Sequence, residues 1–343
     1  MDIDLILEPD LRPAQIAELG LLAEQLGFRG IWAQNYSSAR DAFMCLIPVA
    51  CATTRLKVGV VIVCPYEMHP MKITNALLTL NEYAQGRAMV VIGSGGEWPE
   101  VMRSPVFHTG YKQRLANVRE TLEIVTQSIR EREISYNGSH YSALRFSTAW
   151  HDEAPPLIYH GACGPQMLAM GAMLADGMMM SDVMPTMFGK RLPLLQQRLA
   201  DRNMSNEFRI SNFVAWHVRE NREQSFAEAR RELIIRGWLE RDWLEPFLSP
   251  EETAAVLANR WPFLQAWINR NGVIDGVPEH VCANLVEGLS LAGDYSDIDR
   301  HVERLRTFAA AGFTEIALRL HEQPADSMRL IAERVLPAMA ATT

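Results

Sequence analysis

Four short segments carry residues whose types and spacing could do chemistry, and each follows an apolar run that we predict to be a buried strand. One of them, the loop at residues 64–70, is considered after the other three. Residues 34–36 offer the amide of Asn35 and the phenol of Tyr36. Residues 93–97 offer a glycine-rich backbone and the carboxylate of Glu97. Residues 160–165 are mostly small and lead into a predicted helix. Residues at the end of a strand can meet a ligand, although ordinary polar turns use the same residue types.

The small residues between Gly161 and Gly164 predict a binding site for a phosphate group. At the start of a helix they leave backbone N–H groups open, and the helix dipole favours a negative charge there. A tight turn is the alternative explanation. The glycines at 93–96 lack the third glycine and the prompt helix of a dinucleotide site, and no Gly-Lys-Ser/Thr run of a nucleotide-binding loop follows them.

The loop at residues 64–70 contains two prolines, at positions 65 and 70, which fix an unusual backbone course. A stiff loop in this place would suit the support of a flat ring, and a rigid lead into the next helix is the alternative. The loop also contains His69. We consider His69 and Glu97 candidates for acid or base chemistry on a substrate.

Composition and charge exclude several classes of protein. The 343 residues carry a net charge of −8, so no basic field attracts nucleic acid or anionic lipid. No stretch approaches 18 consecutive apolar residues, and the start lacks the basic region of a signal peptide, which predicts a cytoplasmic protein without a membrane span. The five cysteines are scattered and the nine histidines lack ligand spacing, so we expect neither disulfides nor a metal site.

The elements that must position these residues alternate between short apolar runs and amphipathic helices. Repeated units of a buried strand and a helix require parallel strands that are covered by helices. Eight such units match a closed α/β fold, the (β/α)8 TIM barrel, and an open doubly wound sheet is the alternative. We predict the eight strands at residues 3–7, 28–33, 56–63, 88–92, 156–160, 177–180, 210–218 and 315–320.

A segment of about residues 221–293 breaks this alternation, because it shows helical patterns and four tryptophans but no convincing strand. It is too long for an ordinary loop. We interpret it as a helical insertion between the seventh and eighth units of a single domain that spans residues 1–343. Its tryptophans could pack the core of the insertion, line a substrate mouth or form a contact between subunits.

Several stretches in this order resemble the luciferase-like family of flavin- and deazaflavin-dependent oxidoreductases, over about residues 1–220 and 295–340. They are residues 31–32 (Ile-Trp), 40–43 (Arg-Asp-Ala-Phe), 64–70 (Cys-Pro-Tyr-Glu-Met-His-Pro), 80–87 (Leu-Asn-Glu-Tyr-Ala-Gln-Gly-Arg), 93–95 (Gly-Ser-Gly), 161–167 (Gly-Ala-Cys-Gly-Pro-Gln-Met), 175–177 (Ala-Asp-Gly), 311–313 (Ala-Gly-Phe) and 335–337 (Val-Leu-Pro). The Arg40-Asp41 pair and the Gly-x-x-Gly-Pro pattern are most similar to the methylenetetrahydromethanopterin reductase branch, which uses the deazaflavin F420.

The resemblance implies a homodimeric TIM barrel with an insertion, which binds reduced FMN or F420 at its C-terminal mouth. It also implies a cis peptide in the third strand near Val61 and Ile62, which would support the cofactor ring. Where that branch commonly has Asp-His after the second strand, this chain has Asn35 and Tyr36. The cofactor contacts carried over position by position are Asn35, Cys64, Ser94, Gly95, Cys163, Gly164, Gln166 and Met167.

The resemblance leads us to expect an oxidoreductase that uses F420 for hydride transfer to or from a small organic substrate. The first alternative is an FMNH2-dependent monooxygenase supplied by a separate flavin reductase. Tyr36 would hydrogen-bond near the reactive edge of the ring, and Glu97 or His69 would act on the substrate. The second alternative is a barrel without catalysis that serves as a binding partner, because a phenol with a pKa near 10 shuttles protons less readily than an imidazole.

Overall fold

The computed structural model describes residues 1–36, 39–95, 110–202 and 207–341. Its strands are β1 (Asp2–Leu7), β2 (Gly30–Gln34), β3 (Lys57–Val63), β4 (Ala88–Gly93), β5 (Glu133–Asn137), β6 (Ser142–Ser147), β7 (Leu157–Gly161), β8 (Gly177–Ser181), β9 (Arg209–Val218), β10 (Ser290–Gly293) and β11 (Glu315–Leu320). Its α-helices are α1 (Pro13–Leu26), α2 (Ala42–Ala52), α3 (Pro70–Tyr83), α4 (Gly110–Glu131), α5 (Pro165–Leu174), α6 (Leu192–Asp201), α7 (Arg222–Arg231), α8 (Arg241–Leu244), α9 (Pro250–Ala258), α10 (Trp261–Ile268), α11 (Glu279–Leu289), α12 (Ile298–Ala310), α13 (Pro324–Leu330) and α14 (Leu336–Ala340).

Nine of the strands form one sheet in the order β10-β9-β11-β1-β2-β3-β4-β7-β8, and β9 also pairs with β8, so the sheet closes on itself. Eight strands form the closed ring, and β10 is an additional neighbour of β9. The fold is therefore the (β/α)8 TIM barrel that the alternation of strands and helices predicts. The alternative of an open sheet is wrong.

The helical insertion lies between β9 and β11, the seventh and eighth strands of the ring, as predicted. One detail of the expectation is wrong, and one feature of the structure was not predicted. The insertion contains strand β10, which has four residues and follows helix α11 without a break, so its apolar residues continue a helical pattern. In addition, β5 and β6 form an antiparallel hairpin, whose residues are mostly exposed and therefore leave no apolar run in the sequence.

The chain divides into two compact units, which are described separately below. The amino-terminal unit comprises residues 4–179 and 194–210, and the carboxyl-terminal unit comprises residues 1–3, 180–193 and 211–343. The assignment of the whole chain to one domain stays a prediction. Within the described ranges, no helix combines the length and the apolar character that crossing a bilayer requires.

Parallel strands with matched register organise the amino-terminal unit. Neighbouring residues include Leu5 beside Ile31, Ile31 beside Val58, Val58 beside Ala88 and Val91 beside Tyr159. Helices α1, α3 and α5 each begin with a proline, whose fixed φ suits the first helical position and whose missing N–H is not needed there. Because all these strands run in the same direction, the loops that follow them meet at one edge.

Packed side chains fill the space between the amino-terminal halves of these strands. The buried carboxylate of Asp4 accepts hydrogen bonds of 2.8 Å from Arg29 Nε and from Trp32 Nε1, and Arg29 Nη2 forms a further contact. The Trp32 ring occupies the space beside Gly59, where a Cβ atom would lie 2.3 Å from the ring. It meets the Tyr159 ring edge to face at 5.5 Å. Space for a ligand is therefore expected at the opposite, carboxyl ends of the strands.

The insertion has an apolar core within the carboxyl-terminal unit. Its buried residues include Leu244 of helix α8 and Phe263 of helix α10, and Trp238, Trp243 and Trp267 pack against this core partly buried. Trp261 differs, since 57% of its surface is exposed. Three of the four tryptophans thus fit the reading that they pack the core of the insertion.

Buried charged residues gather where strands β9 and β11 end in the same unit. Glu228 accepts hydrogen bonds from Arg219 Nε at 2.8 Å and Arg219 Nη2 at 2.9 Å, and its Oε1 lies 3.1 Å from His217 Nδ1. The ring of His217 stacks on that of His321 at 4.7 Å. Burial lowers the pKa of both imidazoles, so we expect them to be neutral.

Candidate functional site

The carboxyl ends of β2, β3, β4 and β7 are adjacent, and they bring most of the predicted site residues to one edge of the sheet. Gln34 pairs with Val61, Val63 with Ile92, and Gly93 with Gly161. The residues that directly follow these strands are therefore neighbours. They include Asn35, Cys64, Ser94, Gly95, Cys163 and Gly164.

Asn35 forms two hydrogen bonds with the end of strand β3 and one with the turn that follows it. Its backbone N–H donates to Val61 O at 2.8 Å. Its side-chain Nδ2 donates to Ile62 O at 3.1 Å and to Glu67 Oε1 at 2.8 Å. Since both partners of the side chain are acceptors, they fix which way the amide points. The amide can then offer a ligand only its carbonyl oxygen.

The peptide bond between Val61 and Ile62 is cis, as the resemblance implied. The side chain of Ile62 crosses the ends of the two next strands. A Cβ atom at Gly93 or at Gly161 would lie 2.4 Å from Ile62 Cδ1, so only glycine leaves room for it at these positions. We call Ile62 with Gly93 and Gly161 the Ile62 floor. A flat apolar surface bordered by glycine backbone is suited to contact with an aromatic ring.

Glu67 organises the turn that follows β3. Its Oε1 accepts a hydrogen bond of 2.7 Å from Cys64 N in addition to that from Asn35. Loss of water around the carboxyl group raises its pKa, although hydrogen bonds from Cys64 and Asn35 act in the opposite direction. Burial raises the pKa of the Cys64 thiol to about 12, so this sulfur is neutral at physiological pH.

Glu67 was absent from the predicted site, yet the sequence holds a signal for it. Pro65 follows Cys64, and proline favours the second position of a four-residue β-turn, here residues 64–67. Such a turn brings the fourth residue back to the first, and Glu67 N indeed donates to Cys64 O at 3.3 Å. A carboxylate in the fourth position can then reach the N–H of the first.

Ser94 and Gly95 follow strand β4 and are both partly buried. Gly95 has a φ of +74°, in the left-handed region that favours glycine. The backbone can therefore turn sharply at the point where a ligand would approach. Glu97, the candidate acid or base on the same loop, lies outside the described residues.

The start of helix α5 has an open first turn. Gly164 occupies the N-cap without a side-chain hydrogen bond, Pro165 is the first helical residue, and the first turn has no acidic residue. A Cβ atom at Gly164 would meet nothing within 4 Å. Among the residues that the structure describes, no side chain caps the N–H groups of Gln166 and Met167, which favours an anion in this place. Cys163 is partly buried, Gln166 is exposed and Met167 is buried.

The two other candidates for chemistry lie on the same side of the amino-terminal unit. Tyr36 is partly buried directly after Asn35. His69 is exposed and caps helix α3, since its Nδ1 accepts from Met71 N at 3.3 Å. Its ring also meets the Tyr141 ring edge to face at 5.1 Å. His69 thus has a structural role, and its action on a substrate stays a prediction, as does that of Tyr36.

The fully buried His160 is unsuited to a role in this site. Its Nδ1 donates to Ile92 O at 2.8 Å, and burial lowers its pKa to about 4, so it is neutral. Its ring lies close to Gly171 of helix α5, on the far side of strand β7. Among the residues that the structure describes, no three His, Cys, Asp or Glu side chains are grouped to hold a metal ion.

Comparison with known proteins agrees with the family resemblance. The sequence model of a family described as luciferase-like monooxygenase matches residues 4–324. The chain is 26% identical over 340 residues to a 5,10-methylenetetrahydromethanopterin reductase of Archaeoglobus fulgidus, with 96% of this chain and 97% of that protein covered. It is 24% identical over 351 residues to an F420-dependent glucose-6-phosphate dehydrogenase of Nakamurella multipartita, with 96% and 93% covered.

A solved structure supports the fold. The coenzyme F420 dependent tetrahydromethanopterin reductase from Methanopyrus kandleri superimposes with a TM-score of 0.81 at 20% identity, and the match covers 98% of this chain and 99% of that one. The resemblance found in the sequence is thereby confirmed at the level of the family. With nearly its whole length matched, the chain belongs to the luciferase-like monooxygenase family.

Proposed function

We propose that this chain is an oxidoreductase that uses F420 for hydride transfer to or from a small organic substrate. The observation that carries the proposal is the Ile62 floor, an apolar surface at the carboxyl ends of β3, β4 and β7 with glycine on two sides. It occurs in a chain that aligns over nearly its whole length with an F420-dependent dehydrogenase. F420, when bound, supplies or accepts the hydride.

The residues of the site fit such a cofactor. The Ile62 floor would contact the flat ring, and the open first turn of helix α5 would hold the phosphate through the N–H groups of Gln166 and Met167. Ser94, Gly95, Cys163 and Gly164 would contact the cofactor at the same edge. Cys64 is neutral and buried below this edge, so it would contribute packing rather than thiolate chemistry.

Tyr36 would orient the reacting groups. A phenol with an ordinary pKa near 10 stays protonated at neutral pH, so it can donate a hydrogen bond but is a poor proton shuttle. Proton transfer to or from the substrate would then depend on another group. His69 and Glu97 are our candidates, and the structural role of His69 as a helix cap makes Glu97 the first to test.

The test is reconstitution of the purified chain with each cofactor. We expect F420 fluorescence to change on titration with the chain, and we expect oxidation of F420H2 by a substrate without consumption of oxygen. Oxygen uptake with FMNH2, together with no binding of F420, would overturn the proposal. Failure to bind either cofactor would favour a barrel that serves only as a binding partner.

An FMNH2-dependent monooxygenase is the second candidate, because the matching family is described as monooxygenase. This function would require reduced FMN from a separate flavin reductase, which would be a transient partner. Both candidates would act on a small molecule in the cytoplasm. We further propose a homodimer that is built from single-domain subunits, and light scattering after size-exclusion chromatography would test the dimer.

A further inference from the structure

A carboxylate and an amide face each other beside the predicted cofactor ring. Glu67 Oε1 accepts a hydrogen bond of 2.8 Å from Asn35 Nδ2, and the same amide nitrogen donates to Ile62 O at 3.1 Å. The two hydrogens of the amide nitrogen are thus both used within the protein. Asn35 Oδ1 is the only polar atom of this side chain that remains to meet a ligand.

The backbone N–H groups that follow β2 and β3 also donate within the protein. Asn35 N donates to Val61 O at 2.8 Å, and Cys64 N donates to Glu67 Oε1 at 2.7 Å. In this turn, Glu67 therefore accepts from one side-chain donor, Asn35 Nδ2, and from one backbone donor, Cys64 N. A carboxylate is the strongest acceptor available for both.

We infer that Glu67 is a positioning residue that turns the Asn35 amide so that its oxygen faces the cofactor, which makes this edge of the site an acceptor for an N–H or O–H of the ring. The inference rests on the proposed function, because it needs a cofactor at this edge. Glu67 acts through Asn35 and does not itself touch the ring. Without Glu67, the amide keeps only its hydrogen bond to Ile62 O, so its orientation is fixed by one partner in place of two.

Three variants test this positioning. Glu67→Ala removes the acceptor, so we expect the dissociation constant of F420 to rise on the order of tenfold, which corresponds to the loss of one charged hydrogen bond. Glu67→Gln keeps an acceptor oxygen and should bind within about threefold of the wild type. Glu18→Ala, which changes an exposed carboxylate of helix α1, is the matched control. Its dissociation constant should equal that of the wild type.

Exchange of the two functional groups is a more demanding test. Asn35→Asp removes the donors and places two carboxyl groups at hydrogen-bond distance, with the acidic Asp41 and the Cys64 thiol also near Glu67. We expect the dissociation constant to rise by at least about tenfold. Adding Glu67→Gln to this variant supplies a new donor between the two positions. The double variant should recover part of the lost affinity, because Ile62 O still lacks the donor that the Asn35 amide supplied.

The readouts separate positioning from a structural role. Dissociation constants come from fluorescence titration, and thermal unfolding of each variant is measured alongside. Positioning predicts that Glu67→Ala raises the KM for the cofactor and leaves kcat within about twofold. A change in thermal stability with an unaltered dissociation constant would overturn the inference while the proposed function stands. If the wild type binds neither F420 nor FMN, the inference and the proposed function both fail.

Discussion

Alanine in place of Gly161 tests whether the Ile62 side chain lies across the ends of strands β4 and β7. A Cβ atom at position 161 would lie 2.4 Å from Ile62 Cδ1 and 2.9 Å from Val91 Cγ1. Carbon atoms in favourable contact are about 3.5–4.0 Å apart, so both distances are too short. Ile62 must then leave its rotamer, or the end of strand β7 must move.

We expect Gly161→Ala to lower the free energy of unfolding by about 1–3 kcal/mol, the usual cost of an overpacked core. Denaturation by urea, followed by circular dichroism, measures this change. Gly164→Ala is the matched control, because its new methyl group would meet nothing within 4 Å and its φ is −80°. A helix N-cap tolerates this exchange at a cost of about 1 kcal/mol or less.

A double variant provides the decisive comparison. Ile62→Val removes the Cδ1 atom that the new methyl group would strike, and by itself it costs about 0.5–1.5 kcal/mol. Combined with Gly161→Ala, it should cost less than the sum of the two single changes by about 1 kcal/mol. Exactly additive costs would refute the placement of Ile62 over Gly161, and with it the Ile62 floor.

Three further predictions concern charges. Asp4→Asn breaks a buried ion pair and weakens the bond from Trp32, so it should cost about 3 kcal/mol in urea denaturation, and a cost below about 1 kcal/mol would contradict this. Burial opposes ionisation of Glu228, but its bonds to His217 and an arginine outweigh burial and lower its pKa to about 2. Its stabilisation is therefore present above its ordinary pKa of 4.5 and is lost as the pH falls towards 2. Glu228→Gln should flatten the acid side of a plot of Tm against pH, and an unchanged acid side would speak against the pairing. Desolvation raises the pKa of Glu67. The contribution of this residue to the free energy of unfolding is therefore most favourable at acid pH and is lost as the pH rises. The Tm of Glu67→Gln minus the Tm of the wild type should therefore increase as the pH rises from about 4 to about 8. A difference that stays constant with pH would contradict this prediction.

The barrel could be predicted from the sequence because its eight strands are buried on both faces. Such strands appear as continuous apolar runs, and β3 is the clearest case with Val58, Val60 and Val61. Strand β10 could not be predicted, because a four-residue strand after a helix lacks a period of its own. The hairpin of β5 and β6 alternates too weakly in hydrophobicity to be recognised.

The site could be predicted only in outline. That residues at the ends of neighbouring parallel strands meet follows from topology, so Asn35, Cys64 and Gly161 could be grouped in advance. Sequence patterns do not give side-chain direction. The hydrogen bonds from the Asn35 amide to Ile62 O and to Glu67 could therefore be found only from the distances in the structure. The crossing of Ile62 over two glycines is likewise a packing relation between residues far apart in the chain.

The most direct test of the central claim is a crystal structure of this chain with bound F420. We predict that the deazaflavin ring lies on the Ile62 floor, with Asn35 Oδ1 accepting from it and with the phosphate at the N–H groups of Gln166 and Met167. A ring bound elsewhere, or a phosphate remote from the start of helix α5, would contradict the account.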